Sequence, residues 1–433
     1  MNLLSIGGSD PSSGAGIQKD LKTFESLNAY GLTIVTAITS QNTSRFGLVH
    51  PASKKILADQ IDSIFSDFSI DGIKIGMVYN SELIKIIYNK IKNFSGPIII
   101  DPVIKSTTGG MLIQKSAISD FRKYMVPLSS VITPNKFEAE AISKIKIDSP
   151  ESLEKAARSF LKMGAKGVII TGIEFEKDTI MDFLLTKDTQ ENIKDKKLKR
   201  TNHGSGCTFS AAMLFGLVQS KSIHESAKFA HKFTFDSIKG AQNIGKGIAI
   251  TRIKKDKLFL ELSQSIDNFI QIKNIADRIP ECQTNFVFSK KNPMSEDDVV
   301  GISGRIVKAG KKAIQAGNLQ YGSSKHVAKA VLTINKKFPN IRSGINLKLE
   351  NETIYALKKK GFKIKNYDRT KEPNSIKITE GASIIWGVKK ALKGAKTPPD
   401  AIYHNGDFGK EPMILIFGDS PKNVVKKISR LFE

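Results

Sequence analysis

Short runs that are apolar on both faces recur along the first part of the chain: NLLSI (2–6), GLTIVTAI (31–38), GIKIGM (72–77), PIIID (97–101), SVITP (130–134) and GVIITG (167–172). A strand with one wet face alternates apolar and polar residues, so a run with no polar face needs cover on both sides. Amphipathic helical patterns lie between them, such as DLKTFESLNAY (20–30) and SPESLEKAARSFLKMG (149–164). The second opens on Ser149 as a cap with Pro150 in the first turn, and stops at Gly164. Buried strands alternating with such helices predict a layered α/β domain with a mostly parallel sheet.

Near residue 250 the pattern changes. A helix is expected over about 254–275, and beyond it a second, smaller α/β unit with a helix over 323–338 and a strand over 411–418. The last residues, DSPKNVVKKISRLFE, form another helix, with Ser420 as cap, Pro421 in the first turn, and Val424, Val425, Ile428, Leu431 and Phe432 on one face. The expected domains are 1–250 and 251–433, the second opening with the linking helix.

Composition narrows the setting. Two cysteines, Cys207 and Cys282, are too few for a disulfide framework and suit a reducing cytoplasm. The start, MNLLSIGGSD, has no basic region and too short an apolar run for a signal peptide, and no window is apolar enough to span a membrane. The net charge of +25 raises nucleic acid as a partner. The lysines are scattered, as in KDKKLKR (194–200) and LKKKGFKIK (357–365), with few aromatics between them, so a solvated surface plus anion sites is the reading.

Two glycine-rich segments carry the first chemistry. Gly204-Ser205-Gly206-Cys207 precedes an apolar helix, whose N-terminal amides and dipole suit an anion; the bland alternative is a tight turn with an inert buried thiol. GGSDPSSGAGIQKD (7–20) follows the first strand, at the end where open α/β sheets bind ligands. No GxxxxGK[ST] occurs, which argues against a Walker-type site. Gln41, Asp101, Asn135 and Glu138 also fall just after strands, where caps and turns are common too. Asp101 and Glu138 are candidates to hold Mg²⁺ through oxygen or water beside a transferring phosphate.

The segments GGSDPSSGAGIQKDLKTF, TAITSQNT, KIGMV, DPVI, TPNKFEAE and HGSGCTFSAA resemble, in this order, hydroxymethylpyrimidine/phosphomethylpyrimidine kinases of the ribokinase superfamily. The resemblance covers about residues 1–250. It implies a ribokinase-like fold and ATP-dependent phosphorylation of 4-amino-5-hydroxymethyl-2-methylpyrimidine, then of its monophosphate. It implies that Gly8, Asp20, Gln41 and Met77 hold the pyrimidine. Asp101, Asn135 and Glu138 organise Mg²⁺ and phosphates, Gly204 and Gly206 with Ser205 between them form the anion hole, and Cys207 faces the substrate hydroxyl. Sugar kinases of the superfamily carry Asp in that place. A thiol at a helix N-terminus is expected to have a lowered pKa and to accept the hydroxyl proton, or to orient the hydroxyl. The chain departs from the family at Ser205, where Thr is usual, at Thr201-Asn202-His203, and at Thr107, where Lys is common.

The second half gathers polar clusters in Gly-bounded loops: Arg305 in GISGRIVKAG, Ser323, Ser324 and His326 in YGSSKHVAKAV, Asp368 and Arg369 in YDRTKEP, and Asp407, Gly409, Lys410 and Glu411 in HNGDFGKEPM. Taken singly, His326 reads as a cap and Trp386 as core. Together with IIWGV, these segments resemble the archaeal-type thiamine-phosphate synthase domain over about residues 279–433. That resemblance implies a catalytic pair, Arg305 and His326, and release of pyrophosphate as the pyrimidine diphosphate joins hydroxyethylthiazole phosphate. Lys325 stands where Arg is usual. Arg305, Lys410 and Mg²⁺ would meet the leaving charge.

The expectation is therefore a bifunctional enzyme of thiamine biosynthesis that uses ATP and Mg²⁺. Its partners are small molecules, with neither nucleic acid nor membrane, and the chain self-associates. Two alternatives share the fold: a pyrimidine kinase with a thiamine-phosphate-sensing second domain, and a sugar or pyridoxal kinase.

Overall fold

The structure is a computed structural model that describes residues 1–107, 109–198, 202–253, 256–377, 381–407 and 409–432. Thr201, Arg200 and residues 254–255 of the expected linking helix lie outside them. The chain divides into two compact units, Met1–Lys255 and Asp256–Glu433.

The first unit is built on a nine-stranded sheet: β1 (Asn2–Ser9), β2 (Tyr30–Gln41), β3 (Phe46–Pro51), β4 (Gly72–Ile75), β5 (Ile98–Ile100), β6 (Val131–Ile132), β7 (Gly167–Ile173), β8 (Thr179–Thr186) and β9 (Gln190–Lys196). The order is β3-β2-β1-β4-β5-β6-β7-β8-β9. From β2 to β7 every pairing is parallel, and β3, β8 and β9 join antiparallel. The doubly apolar runs form the parallel centre, because helices cover both faces there. One core holds Ile6, Ile75, Ile100 and Ile132 against the helices Ser81–Ile91 and Pro150–Lys162. The other face holds Leu3, Ile99, Val131 and Ile169 against the helix Ser205–Val218.

The helix expected over 20–30 lies at Gly16–Ser26 instead. Its start is set by Gly16, which turns at a φ of +62°. Asn28, also left-handed, ends the turn after it, and Tyr30 pairs with Asn2 as the start of β2. The helix Pro150–Lys162 has the cap expected of it: Ser149 accepts from the amide of Ser152.

A seven-stranded, mostly antiparallel sheet forms the second unit, ordered Leu319–Tyr321, Val299–Ile302, Phe286–Ser289, Ser343–Lys348, Met413–Gly418, Ala401–His404 and Ile364–Asn366. The last two strands are parallel. Period-two alternation divides its apolar residues between two cores. Phe286, Phe288, Ile414 and Ile416 meet Leu262, Phe269, Val424 and Ile428 on one face. Val287, Leu415 and Phe417 meet Val331, Ile334, Ile384 and Val388 on the other. The opening helix is shorter than expected, Lys257–Ile270, with the Asp256 carboxylate accepting from Leu258 N–H at its start. The 323–338 pattern is helical over Lys325–Asn335, because Ser324 is left-handed at a φ of +66° and cannot join it. Among the described residues, no helix is long and apolar enough to cross a membrane.

Candidate active sites

In the first unit the carboxyl ends of β1, β4, β5 and β6 open on a cavity of about 500 Å³. Every site residue expected in this half lines it: Gly8, Asp20, Gln41, Met77, Asp101, Asn135, Glu138, Gly204, Ser205, Gly206 and Cys207. Strand ends explain the convergence. Met77 follows β4, Asp101 follows β5, and Asn135 caps the helix Lys136–Ser143 that follows β6. Gly8 lies at a register shift in β1, and a Cβ there would be 2.6 Å from the Met77 sulfur. Gly204 begins the helix Ser205–Val218 at a φ of +91°, and a Cβ on it would strike the Gly14 carbonyl at 1.9 Å. The two glycine loops thus meet backbone to backbone. Asp10 fixes the first of them by accepting from the amides of Ser12, Gly14 and Ala15, and its Oδ2 lies 3.1 Å from His203 Nε2.

The floor is ionic and dry. Lys74 Nζ lies 2.8 Å from Asp20 Oδ2 and 3.9 Å from Asp101 Oδ2. Ser5 donates to Asp20 at 2.6 Å, and Ser210 to Asp101 at 3.1 Å. Asp20 therefore sits beneath the cavity as the counter-ion of Lys74. Cys207 is buried, and the Gly16 N–H donates to its sulfur. Burial pushes the thiol up to about 12; Lys74 opposes this, and the charges of Asp20 and Asp101 add to it. This corrects the expectation of a lowered pKa. The helix N-terminus is present, but desolvation among carboxylates outweighs it, and the thiol keeps its proton at neutral pH.

Asp101 and Glu138 form the acidic wall. Burial raises Asp101, against the pull of Lys74. Burial, and next the charge of Asp101, lift Glu138 to about 8. Glu138 also completes a capping box, taking the Asn135 N–H at 2.9 Å while Asn135 takes the Glu138 N–H.

In the second unit, cations surround His326 at the start of the helix Lys325–Asn335. The residue is exposed, so solvent screens part of the effect, but packing around it and then the charges of Arg369, Lys329, Arg305 and Lys410 hold its imidazole below the usual histidine range. Arg305 and His326 thus share one electropositive patch. Arg305, left-handed at a φ of +67°, donates to the Cys282 carbonyl, while Glu411 accepts from the amides of Glu281 and Cys282. Glu411 is therefore a brace for the strap that aims Arg305. Beside the patch, Tyr367 stacks edge-on against Trp386 at 6.0 Å and lies 5.2 Å from the His404 ring. Trp386 is half-buried against the core that holds Tyr367. Burial, then Arg369 and His326, lower His404 to about 4. The Ser324 hydroxyl oxygen is buried at the helix start with no hydrogen-bond partner.

Residues 10–252, more than half of the chain, match the phosphomethylpyrimidine kinase family. The chain belongs to that family. Residues 261–430 match the thiamine-phosphate synthase ThiN family, so the phosphomethylpyrimidine kinase carries a synthase half and the chain is a bifunctional enzyme. The bifunctional thiamine biosynthesis protein ThiDN of Methanocaldococcus jannaschii is 30% identical over 433 residues, 99% of this chain and 97% of that protein. A hydroxymethylpyrimidine/phosphomethylpyrimidine kinase of Bacillus subtilis is 35% identical over 247 residues, 56% of this chain and 91% of that one. Among solved structures, the ADP complex of Bacillus subtilis pyridoxal kinase has a TM-score of 0.55 at 31% identity, covering 59% of this chain and 97% of that one. The kinase half is thus ribokinase-like, as expected.

Sequence reasoning missed several polar residues of both halves. In the kinase half, Lys74 is the omission, although a lone lysine inside an apolar strand was visible in GIKIGM. His203 was quoted without a role, and its partner Asp10 is 193 residues away. In the synthase half, Tyr367, Glu372 and His404 were passed over, and Arg369 was named without a task. These belong to separate strands and turns, and no local pattern joins them.

Two buried carboxylates whose charges oppose each other fit a divalent cation. Burial raises both, the charge of Asp20 adds to Asp101 and that of Asp101 to Glu138, and a cation would relieve this. Glu138 Oε1 and Oε2 each receive a backbone N–H, so it would reach the ion through water.

Proposed function

We propose that the kinase half moves the γ-phosphoryl group of ATP to 4-amino-5-hydroxymethyl-2-methylpyrimidine and then to its monophosphate. The synthase half then couples the diphosphate with hydroxyethylthiazole phosphate. The observation that carries this reading is the Gln41 carboxamide oxygen, which is buried in the cavity wall without a hydrogen-bond partner. Such an oxygen costs roughly 1–3 kcal/mol unless a ligand supplies a donor. The exocyclic amino group of the pyrimidine is one. Met77 and Gly8 give the ring an apolar seat beside it.

At the other end, the amides of Ser205, Gly206 and Cys207 at the start of their helix have no partner within it and face the transferring phosphate. Mg²⁺, held by Asp101 and through water by Glu138, would supply charge neutralisation between phosphates. Cys207 orients the substrate hydroxyl as a neutral thiol, with Lys74 supplying the nearby positive charge. The hydroxyl needs little base help, because phosphoryl transfer rests on positioning and charge. In the synthase half, Arg305, Lys329, Arg369 and Lys410 meet the charge on departing pyrophosphate, and His326 hydrogen-bonds to it at the start of its helix.

The test is one reaction with the pyrimidine alcohol, ATP, Mg²⁺ and thiazole phosphate. Wild type should form thiamine phosphate. Arg305→Ala and His326→Ala should each stop at the diphosphate, and Cys207→Ala should stop before it while still binding the pyrimidine. Accumulation of diphosphate by the wild type without coupling would leave the second half as a sensor. Preference for pyridoxal over the pyrimidine in a substrate panel would overturn the kinase reading. We read the chain as a cytoplasmic homo-oligomer with a solvated basic surface. Light scattering tests the first point, and the absence of nucleic-acid retention at moderate salt tests the second.

A further inference from the structure

The synthase half holds a second orphaned acceptor. The Glu372 side chain is only 2% exposed. Its Oε1 has no hydrogen-bond partner, and its Oε2 lies 3.6 Å from Arg369 Nε. Among the described residues, it is the one carboxylate more than nine-tenths buried that has a fully sealed oxygen without a hydrogen-bond partner. A buried carboxylate with an open oxygen is costly, and the pairing with Arg369 satisfies only one side of it. Arg369 is also the cation that presses on His326, on His404 and on Tyr367, and Tyr367 feels Glu372 as well. One short turn, Arg369–Lys371, separates Glu372 from Tyr367, and the Glu372 N–H closes it on the Arg369 carbonyl; the open oxygen thus belongs to the loop that carries Tyr367, whose ring meets Trp386 and His404.

We infer that Glu372 is a substrate-binding residue of the synthase reaction, accepting a hydrogen bond from the exocyclic amino group of the aminopyrimidine through its free oxygen. The inference rests on the coupling reaction proposed above. Its chemistry gives the carboxylate more to do than hold the ring. When the bond from the methylene carbon to the diphosphate oxygen breaks, the electron pair leaves with pyrophosphate. The cation that remains is shared between the methylene carbon and the amino nitrogen, so the amino N–H groups become more acidic. A carboxylate facing them binds that state more tightly than the ground state. The thiazole nitrogen then closes the new C–N bond with its lone pair, and no proton has to move. Gln41 in the kinase half offers the same kind of oxygen to the same group, so each half would read the amino group that their shared intermediate carries.

The test uses the full chain supplied with the pyrimidine diphosphate and thiazole phosphate, which bypasses the kinase step. The parent diphosphate is compared with an analogue that has hydrogen in place of the amino group. Glu372→Gln should lose on the order of 10–100-fold in kcat/KM with the parent, as expected for a charge-assisted hydrogen bond. With the analogue its loss should shrink to about threefold or less, because the partner group is already gone. Equal losses with both substrates would mean that Glu372 acts only by holding Arg369, and would overturn the inference. A second measurement needs no variant: as an inhibitor of the wild type, the analogue should bind about tenfold more weakly than the parent. Equal binding would overturn the inference even if Glu372→Gln failed to fold. A wild type that forms no thiamine phosphate overturns the synthase reading and this inference together, whereas normal turnover with equal losses removes Glu372 alone.

Discussion

The ammonium of Lys74 lies 2.8 Å from the carboxylate of Asp20, and both side chains are sealed from solvent beneath the kinase cavity. The pair joins β4 to the helix Gly16–Ser26. Removing one member strands the other charge in a dry site, at a cost of about 3–5 kcal/mol. Lys74→Met should therefore lower the melting transition of the kinase half and leave that of the synthase half in place. Calorimetry resolves the two. An unmoved kinase transition would show that water reaches Asp20.

The state of Cys207 is open to chemical labelling. With its thiol pushed up to about 12, iodoacetamide should label exposed Cys282 well before Cys207 at pH 7–8. Cys207→Ser should keep kinase turnover within about 100-fold of wild type, because a hydroxyl also orients a hydroxyl. Peptide mapping and steady-state rates check the two statements. Rapid labelling of Cys207 at neutral pH would restore the thiolate reading.

The Asp101 and Glu138 pair predicts a proton linked to metal binding. Glu138 is lifted to about 8 and an unfolded glutamate titrates near 4.5, so the folded, metal-free protein holds its proton more tightly. That contribution to stability is complete below about pH 4.5 and is lost as pH rises through 8. Mg²⁺ must displace the proton, so apparent Mg²⁺ affinity should rise with pH up to about 8. Titration calorimetry at pH 7 in buffers of different ionisation heat should show proton release, and Glu138→Gln should abolish it.

His326 predicts the opposite linkage. Packing around it, and then a crowd of cations, hold its imidazole below the usual histidine range, so it is neutral at pH 7. Pyrophosphate would offset those cations and raise the pKa, so binding should take up protons. Affinity for pyrophosphate should improve as pH falls from 7 to 5. NMR titration of the ring with and without pyrophosphate measures the shift. An unchanged pKa would place pyrophosphate away from His326.

Much of this protein was written locally. The parallel centre of the first sheet could be read from runs with no polar face, because only helices on both sides satisfy them. Ser149 and Pro150 marked a helix start for the same kind of local reason, and Gly204 to Cys207 marked a helix opening that invites an anion. Met77, Asp101 and Asn135 each stood just after a strand, and strand ends converge in a parallel sheet. Helix ends were read less well, as at Gly16 and Ser324, where a left-handed residue set the boundary.

The sequence by itself determined the layered fold, the change near residue 250, and the glycine loops that line the kinase cavity, because these depend on periodicity and on residues close in the chain. Only the tertiary structure decided the charges. It set Lys74 between Asp20 and Asp101, gave Cys207 a protonated thiol, and left one oxygen of Glu372 without a partner. Protonation depends on burial and on every charge nearby, and those neighbours come from distant segments that meet only when the chain is folded.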